Sequence, residues 1–259
     1  VASLEQYQEI AEMAYRLGKS YRAGRNQYYC LADRSGAELW VQVDENDEIA
    51  GLNAHFEAQN SVEVTLLRAQ AYDERPLDGT FEARAAYLDS GLPPDAEPAI
   101  FSFDLPDAHL VPSVALPTRA MVQLVAFARE IHCYEAVEDF RKAHPGERLE
   151  GLHAIDNDQR PGTVSSLMRL DGIVMKAKTL HNSLEGHEYY SLEVKTAFGL
   201  VDVVAATRSI PVLPSAGQFF DGQVRMSGRV TLMDAHLLKP GLVERFFWGA
   251  ATNIRIEPK

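Results

Sequence analysis

His181, Glu185 and His187 bring two imidazoles and a carboxylate into one short stretch. Such a set can give zinc three ligands and leave a position open for an activated water, with Glu188 next door as a spare base. The stretch 182–186 also reads as the polar tip of a β-hairpin, where solvation alone collects such residues. A second group joins Asp104, Asp107 and His109 to the distant His153, Asp156 and Asp158, all on loop-like sequence of the kind that carries binding residues. Asp156 and Asp158 supply fewer alternating oxygens than a calcium loop needs, and Asp and Asn in such stretches form Asx-turns. Cys133 beside His132 has the composition of a nucleophile and its base. Neighbours on a helix diverge by about 100°, so in the helix expected there Cys133 is a packed small residue.

Motif-bearing chemistry is absent. The sequence has no GxxxxGK[ST], GxGxxG, GxSxG, SxxK, HExxH or CxxC. No catalytic residue and no cofactor is assigned.

The elements that would position these residues are mostly strands. An amphipathic helix is expected over 5–17, with Tyr7, Ile10, Ala11, Ala14 and Leu17 on one face and Gly18 as the stop. Strands follow at 27–32, 38–44 and 48–56, separated by turn chemistry at Ser35-Gly36 and Asn46-Asp47, then at 61–69, 79–87 and 99–105. Pro117 suits the first turn of a helix, and Met121, Leu124, Val125, Ala128 and Ile131 keep helical spacing, so a helix is expected from there towards His144. Beyond Pro145-Gly146 the pattern is β again, at 170–180, 189–196, 200–206 and 222–232.

The chain has 259 residues, 46% hydrophobic and 24% charged, an ordinary globular composition. Its net charge of −12 is uneven: 1–169 hold 15 Lys/Arg against 28 Asp/Glu, while 170–259 hold 10 against 9. The acidic part repels phosphate backbones, which argues against nucleic-acid reading there and leaves the C-terminal part open to it. No segment has the length and apolarity of a membrane span, the first ten residues lack a signal pattern, and two isolated thiols form no disulfide framework. A cytoplasmic address without membrane association is the expectation.

The region from Gly172, through a meander and the connector Pro211 to Pro214, to the strand Gly222-Gln223-Val224-Arg225-Met226-Ser227-Gly228-Arg229-Val230, resembles the OB-fold in strand order. The resemblance implies a five-stranded Greek-key barrel that binds single-stranded nucleic acid or an oligosaccharide. On that reading Tyr189 and Phe198 would stack against the ligand, and Lys176, Lys178 and Arg225 would stand alongside as cations. Tyr190, Phe219, Phe220, Lys195 and Arg229 belong to the same candidate face.

A faint internal echo also links 38–43 to 189–194. The expected fold class is therefore α+β: an acidic, antiparallel β-rich module with amphipathic helices over 1–150, a linker or surface loop over 151–169, and a β-rich, OB-like module over 170–259. The function expected first is non-catalytic binding, with the acidic module recognising a basic protein partner. The alternatives are the OB-like ligand face and a metal-dependent hydrolase at His181, Glu185 and His187. The aromatic run 242–248 is expected to pack or to anchor a partner.

Overall fold

The computed structural model describes residues 4–72, 75–85, 100–111, 113, 115–147, 149, 151–155, 165–234 and 255–257. Among the described residues the fold is mostly β, with two short helices, rather than the α+β class expected. The 242–248 run, Asp156 and Asp158 lie outside the described residues.

The opening helix α1 (Leu4–Leu17) forms as its periodicity predicts, and its Ala11 and Ala14 are buried against Leu31, Val41 and Val43. Those three side chains belong to one face of an antiparallel meander: β1 (Lys19–Ala23), β2 (Asn26–Ala32), β3 (Ala37–Val43) and β4 (Ile49–Phe56). The hairpin turns lie where Ser35-Gly36 and Asn46-Asp47 foretell them, with Gly36 and Asp47 at positive φ. Alternation along β3 sends Val41 and Val43 to the helix and Glu38, Trp40 and Gln42 to the other side. This cap is thus apolar on one face and polar-aromatic on the other.

A second, larger sheet holds β5 (Val62–Tyr72), β6 (Arg75–Ala85), β7 (Ile100–Leu105), β8 (Thr118–Tyr134), β9 (Leu152–Ala154), β10 (Leu167–Asn182), β11 (His187–Thr196), β12 (Gly199–Ala206), β13 (Phe219–Asp234) and β14 (Arg255–Glu257). A 3-10 turn, Ala108–Leu110, follows β7, and helix α2 (Val137–Ala143) follows β8. The order returns on itself because β13 pairs with β7, β8 and β10. Two circuits of five strands result, β5-β6-β7-β13-β8 and β10-β11-β12-β8-β13, sharing β8 and β13. Inward side chains from both circuits, among them Phe103, Leu124, Val203 and Met226, form one continuous core.

The helix expected after Pro117 is instead the 17-residue strand β8, and the peptide bond before Pro117 is cis. Ala120, Val122, Leu124 and Ala126 face the core, while Val125, on the opposite face, is buried under the cap with Phe56 and Ala58. A strand covered on both sides is a nearly continuous apolar run, which satisfies a helical count as well as a strand count. Strands from both sides of 151–169 share the large sheet, so the break between sheets lies between β4 and β5, and 151–169 itself contributes β9.

The circuits are related by a pseudo-twofold through the Ser227–Val125 pair. Ser227 pairs in parallel with Asp104 of β7, as Val125 is flanked in parallel by Asp202 of β12. Val62 of β5 faces Val122 as Met168 of β10 faces Val224. Even the irregularities match, since the β8–β13 register passes over Arg129 on one strand and Thr231 on the other. The repeat is β5–β8 against β10–β13, not the echo between 38–43 and 189–194, because 38–43 belongs to the cap.

Candidate binding site between the cap and the large sheet

The polar face of the cap lies on the outer face of β13. Outward residues of β13 alternate as Arg225, Ser227 and Arg229, because Val224, Met226 and Val230 point into the core. Arg229, its side chain only 11% exposed, reaches Asp107 (Nε to Oδ2, 3.3 Å) and Glu38 (Nη1 to Oε1, 3.8 Å). Its guanidinium also stacks 4.9 Å from the Trp40 ring centre, and Trp40 donates from Nε1 to Glu38. Burial raises the pKa of both carboxyls, and Arg229 opposes that rise. Among the described residues Asp107 Oδ1 has no hydrogen-bond partner.

His55 of β4, 2% exposed, shares a 2.8 Å hydrogen bond between Nδ1 and Ser227 Oγ, and its Nε2 is buried without a partner among the described residues. A serine beside an imidazole has the geometry of a nucleophile and its base. The electrostatics are unsuited to that role: burial, with Arg229 adding to it, pushes His55 down to about 3. A base so far below neutrality takes up a proton poorly near pH 7. The bond instead ties cap to sheet.

Two cavities flank the pair. The larger, about 590 Å³, takes in His55 and has Leu39, Phe56, Phe127, Leu184, Tyr189 and Val204 among its walls. Its size and apolar lining are those of a small-molecule site. Its outer end is held by the β10–β11 tip, where Ser183 donates from both N and Oγ to Asp33 of the cap. With Ser35 N donating too, these bonds hold the Asp33 carboxyl at about 2. The smaller cavity, about 240 Å³, sets apolar side chains such as Leu52, Leu105 and Phe127 beside polar groups of five strands: Asn53, Tyr72, Asp78, Asp104, Arg225 and Ser227. Asp78 Oδ1 accepts from Asn53 (2.7 Å) and Gln42 (2.9 Å), while Asp104 accepts from Thr80, Ser166 and Arg225.

Among the sequence candidates, Tyr189 lines the larger cavity, with its hydroxyl donating to Ser35 O, and Arg225 lines the smaller. Phe198 is fully buried and stacks on Phe101, with ring centres 5.9 Å apart. Lys176 pairs with Glu193, and Lys178, opposite Ser191, is exposed. Phe219 packs on Phe140, Phe220 is in the core, Tyr190 packs against the core, and Lys195 is exposed.

Glu185 and His187 edge the larger cavity, but His181 pairs with Glu188 and His187 with Asn182, so the two imidazoles project to opposite faces of their hairpin. Among the described residues no group of three or more His, Cys, Asp or Glu side chains could hold a metal. Asp104 and Asp107 serve separate networks, His109 is exposed, and His153 lines a distant cavity with His132 and His144. Cys133 is on a strand opposite Phe220, its thiol pushed up by burial to about 11.

His55, Trp40 and Glu38 were missed as site residues. Their signal was present: β3 alternates Glu38, Trp40 and Gln42 with Leu39, Val41 and Val43, the pattern of a strand whose second face meets something other than water.

No protein-family model matches the chain, and no curated protein is similar to it in sequence.

Proposed function

We propose that this is a non-catalytic binding protein whose ligand, a small molecule with an apolar body, occupies the 590 Å³ cavity between the cap and the large sheet. The observation that carries the reading is the wall itself, where Leu39 and Phe56 of the cap and Phe127, Leu184, Tyr189 and Val204 of the large sheet line one cavity. A mainly apolar lining with a few polar groups is the make-up of a small-molecule site.

The basic-partner reading has less support. Within the acidic module, Glu45, Glu63, Glu82, Asp139 and Glu147 already pair with Arg or Lys of the chain, and a basic surface would have to compete with those cations. An OB-like barrel gains from the five-strand count, but the fifth member of the second circuit is β8, from outside 170–259. Stacking of nucleic-acid bases is disfavoured because Phe198 is already stacked in the core.

Titration with N-phenyl-1-naphthylamine, an uncharged apolar dye, tests the proposal. The expected result is saturable one-site fluorescence that Ala206→Phe, which narrows the cavity wall, abolishes while leaving the melting temperature within a few degrees. Non-saturable binding, or binding indifferent to Ala206→Phe, would overturn it.

A further inference from the structure

The cap sheet ends on one side at β1, which pairs with β2 and, among the described residues, with no other strand. Lys19, Ser20 and Arg22 are exposed along it. Independently of the cavity, we infer that this edge is a docking surface for an acidic, extended segment of a partner protein, which joins the cap as a further strand.

The hairpin decides which backbone groups are on offer. β1 and β2 are joined by Gly24 and Arg25 alone, with Gly24 at φ +65°, the left-handed conformation that a two-residue turn with glycine first demands. In such a hairpin the closing pair, Ala23 and Asn26, exchanges both backbone bonds, and the alternation of an antiparallel ladder then gives Tyr21 and Lys19 to β2 as well. The N–H and C=O groups of Ser20 and Arg22 are left pointing away from the sheet, at the spacing an added strand uses.

Charge selects the occupant. Between Glu12 and Asp33 the chain has Arg16, Lys19, Arg22 and Arg25 and no carboxylate, in a protein of net charge −12. Arg25 pairs with Glu45, while among the described residues Arg16, Lys19 and Arg22 have no carboxylate partner. Alternation along β1 places Lys19 with Tyr21, 5.1 Å from its ring centre, on the face turned to the large sheet, and Arg22 on the helix face. Acidic side chains on either face of an incoming strand therefore meet a cation. A second copy of the chain is unsuited, because pairing edge to edge would bring two sets of these cations together. A nucleic acid would gain few phosphate contacts here and be repelled by the acidic remainder of the protein.

Fluorescence anisotropy at low salt, with a fluorescein-labelled peptide of two Thr-Glu-Glu-Val repeats, tests the edge. The controls are the same peptide with lysine for glutamate, a copy N-methylated at alternate residues, and a short oligothymidylate. The acidic peptide should bind about tenfold tighter than each control, since only it offers both the charge and the backbone donors. Arg22→Glu should remove most of that margin, while Lys178→Glu, an equal change of charge on exposed β10, should leave it intact. Circular-dichroism melts report that both variants remain folded. Equal binding of the N-methylated copy would reduce the edge to a charged patch and overturn strand addition. Tighter binding of the lysine peptide or of oligothymidylate, no binding of the acidic peptide, or an equal loss with Lys178→Glu would overturn the proposal outright. None of these outcomes bears on the dye-binding cavity.

Discussion

The outer faces of β8 and β13 occupy equivalent places about the pseudo-twofold and do opposite things. Gln123, Val125 and Phe127 on β8 correspond to Arg225, Ser227 and Arg229 on β13. Val125 seals an apolar contact with Phe56 of the cap, whereas the β13 row meets Asp107, Glu38, Trp40 and His55. Each circuit also has an aspartate clamp. Asp202 accepts from the backbone N–H groups of Gln59 and Asn60 and from Asn60 Nδ2, just before β5. Asp104 accepts from Ser166, just before β10, and each clamp therefore ties its strand to the other circuit. The Asp202 clamp is closed by backbone. The Asp104 clamp is closed by side chains and opens on a cavity, so symmetry is kept where it fastens the sheet and is broken where the sheet borders a cavity.

The comparison is broken most severely at Arg229. Replacing it with Met leaves Glu38 and Asp107 buried without their cation, and urea denaturation should show a loss of about 3–5 kcal/mol. The clamps should separate next. Asp104→Ala leaves the buried hydroxyls of Thr80 and Ser166 without their acceptor and should cost about 2–3 kcal/mol, while the donors to Asp202 belong to exposed Gln59 and half-buried Asn60, which can turn to water, and Asp202→Ala should cost about 1 kcal/mol. Equal losses in chemical denaturation would show that the two clamps are equivalent after all.

A pH series isolates the His55 tie. Its folded pKa is depressed from 6.5 to about 3, so its contribution is complete above 6.5. As pH falls below 6.5 the unfolded imidazole binds a proton that the folded one refuses, and stability should decline by up to about 1.4 kcal/mol per pH unit until pH nears 3. His55→Asn should flatten the pH dependence by that amount relative to the parent. Ser227→Val, which installs the residue found at the equivalent place on β8, removes one buried hydrogen bond and should cost about 1 kcal/mol. Arg225→Ala, on an exposed side chain, should change stability by less than about 0.5 kcal/mol.

Much of the strand framework was legible from alternation and turn chemistry. The meander over 27–56, the hairpin tip at 183–186 and the strands β10 to β13 lie within a few residues of expectation, because each has one wet face or a Gly-, Asn- or Ser-marked turn. β8 was misread for the opposite reason, since both of its faces are covered. Arg225 and Tyr189 were chosen as a cation and an aromatic on strands, and they line two adjoining cavities. Phe198 was chosen by the same rule and is core, because side-chain type does not say which face of a strand the fold will cover.

By itself, the sequence determined the local elements: an amphipathic helix, a string of short strands and polar turns, and no recognised catalytic motif. Periodicity and turn residues act over a few neighbours, and that is the range at which they can be read. The tertiary structure alone decided that β8 and β13 pair, that two circuits share them, and that His55 meets Ser227 across 172 positions. Those contacts arise from burying the outer face of one sheet under another, a long-range choice that single-sequence periodicity does not encode.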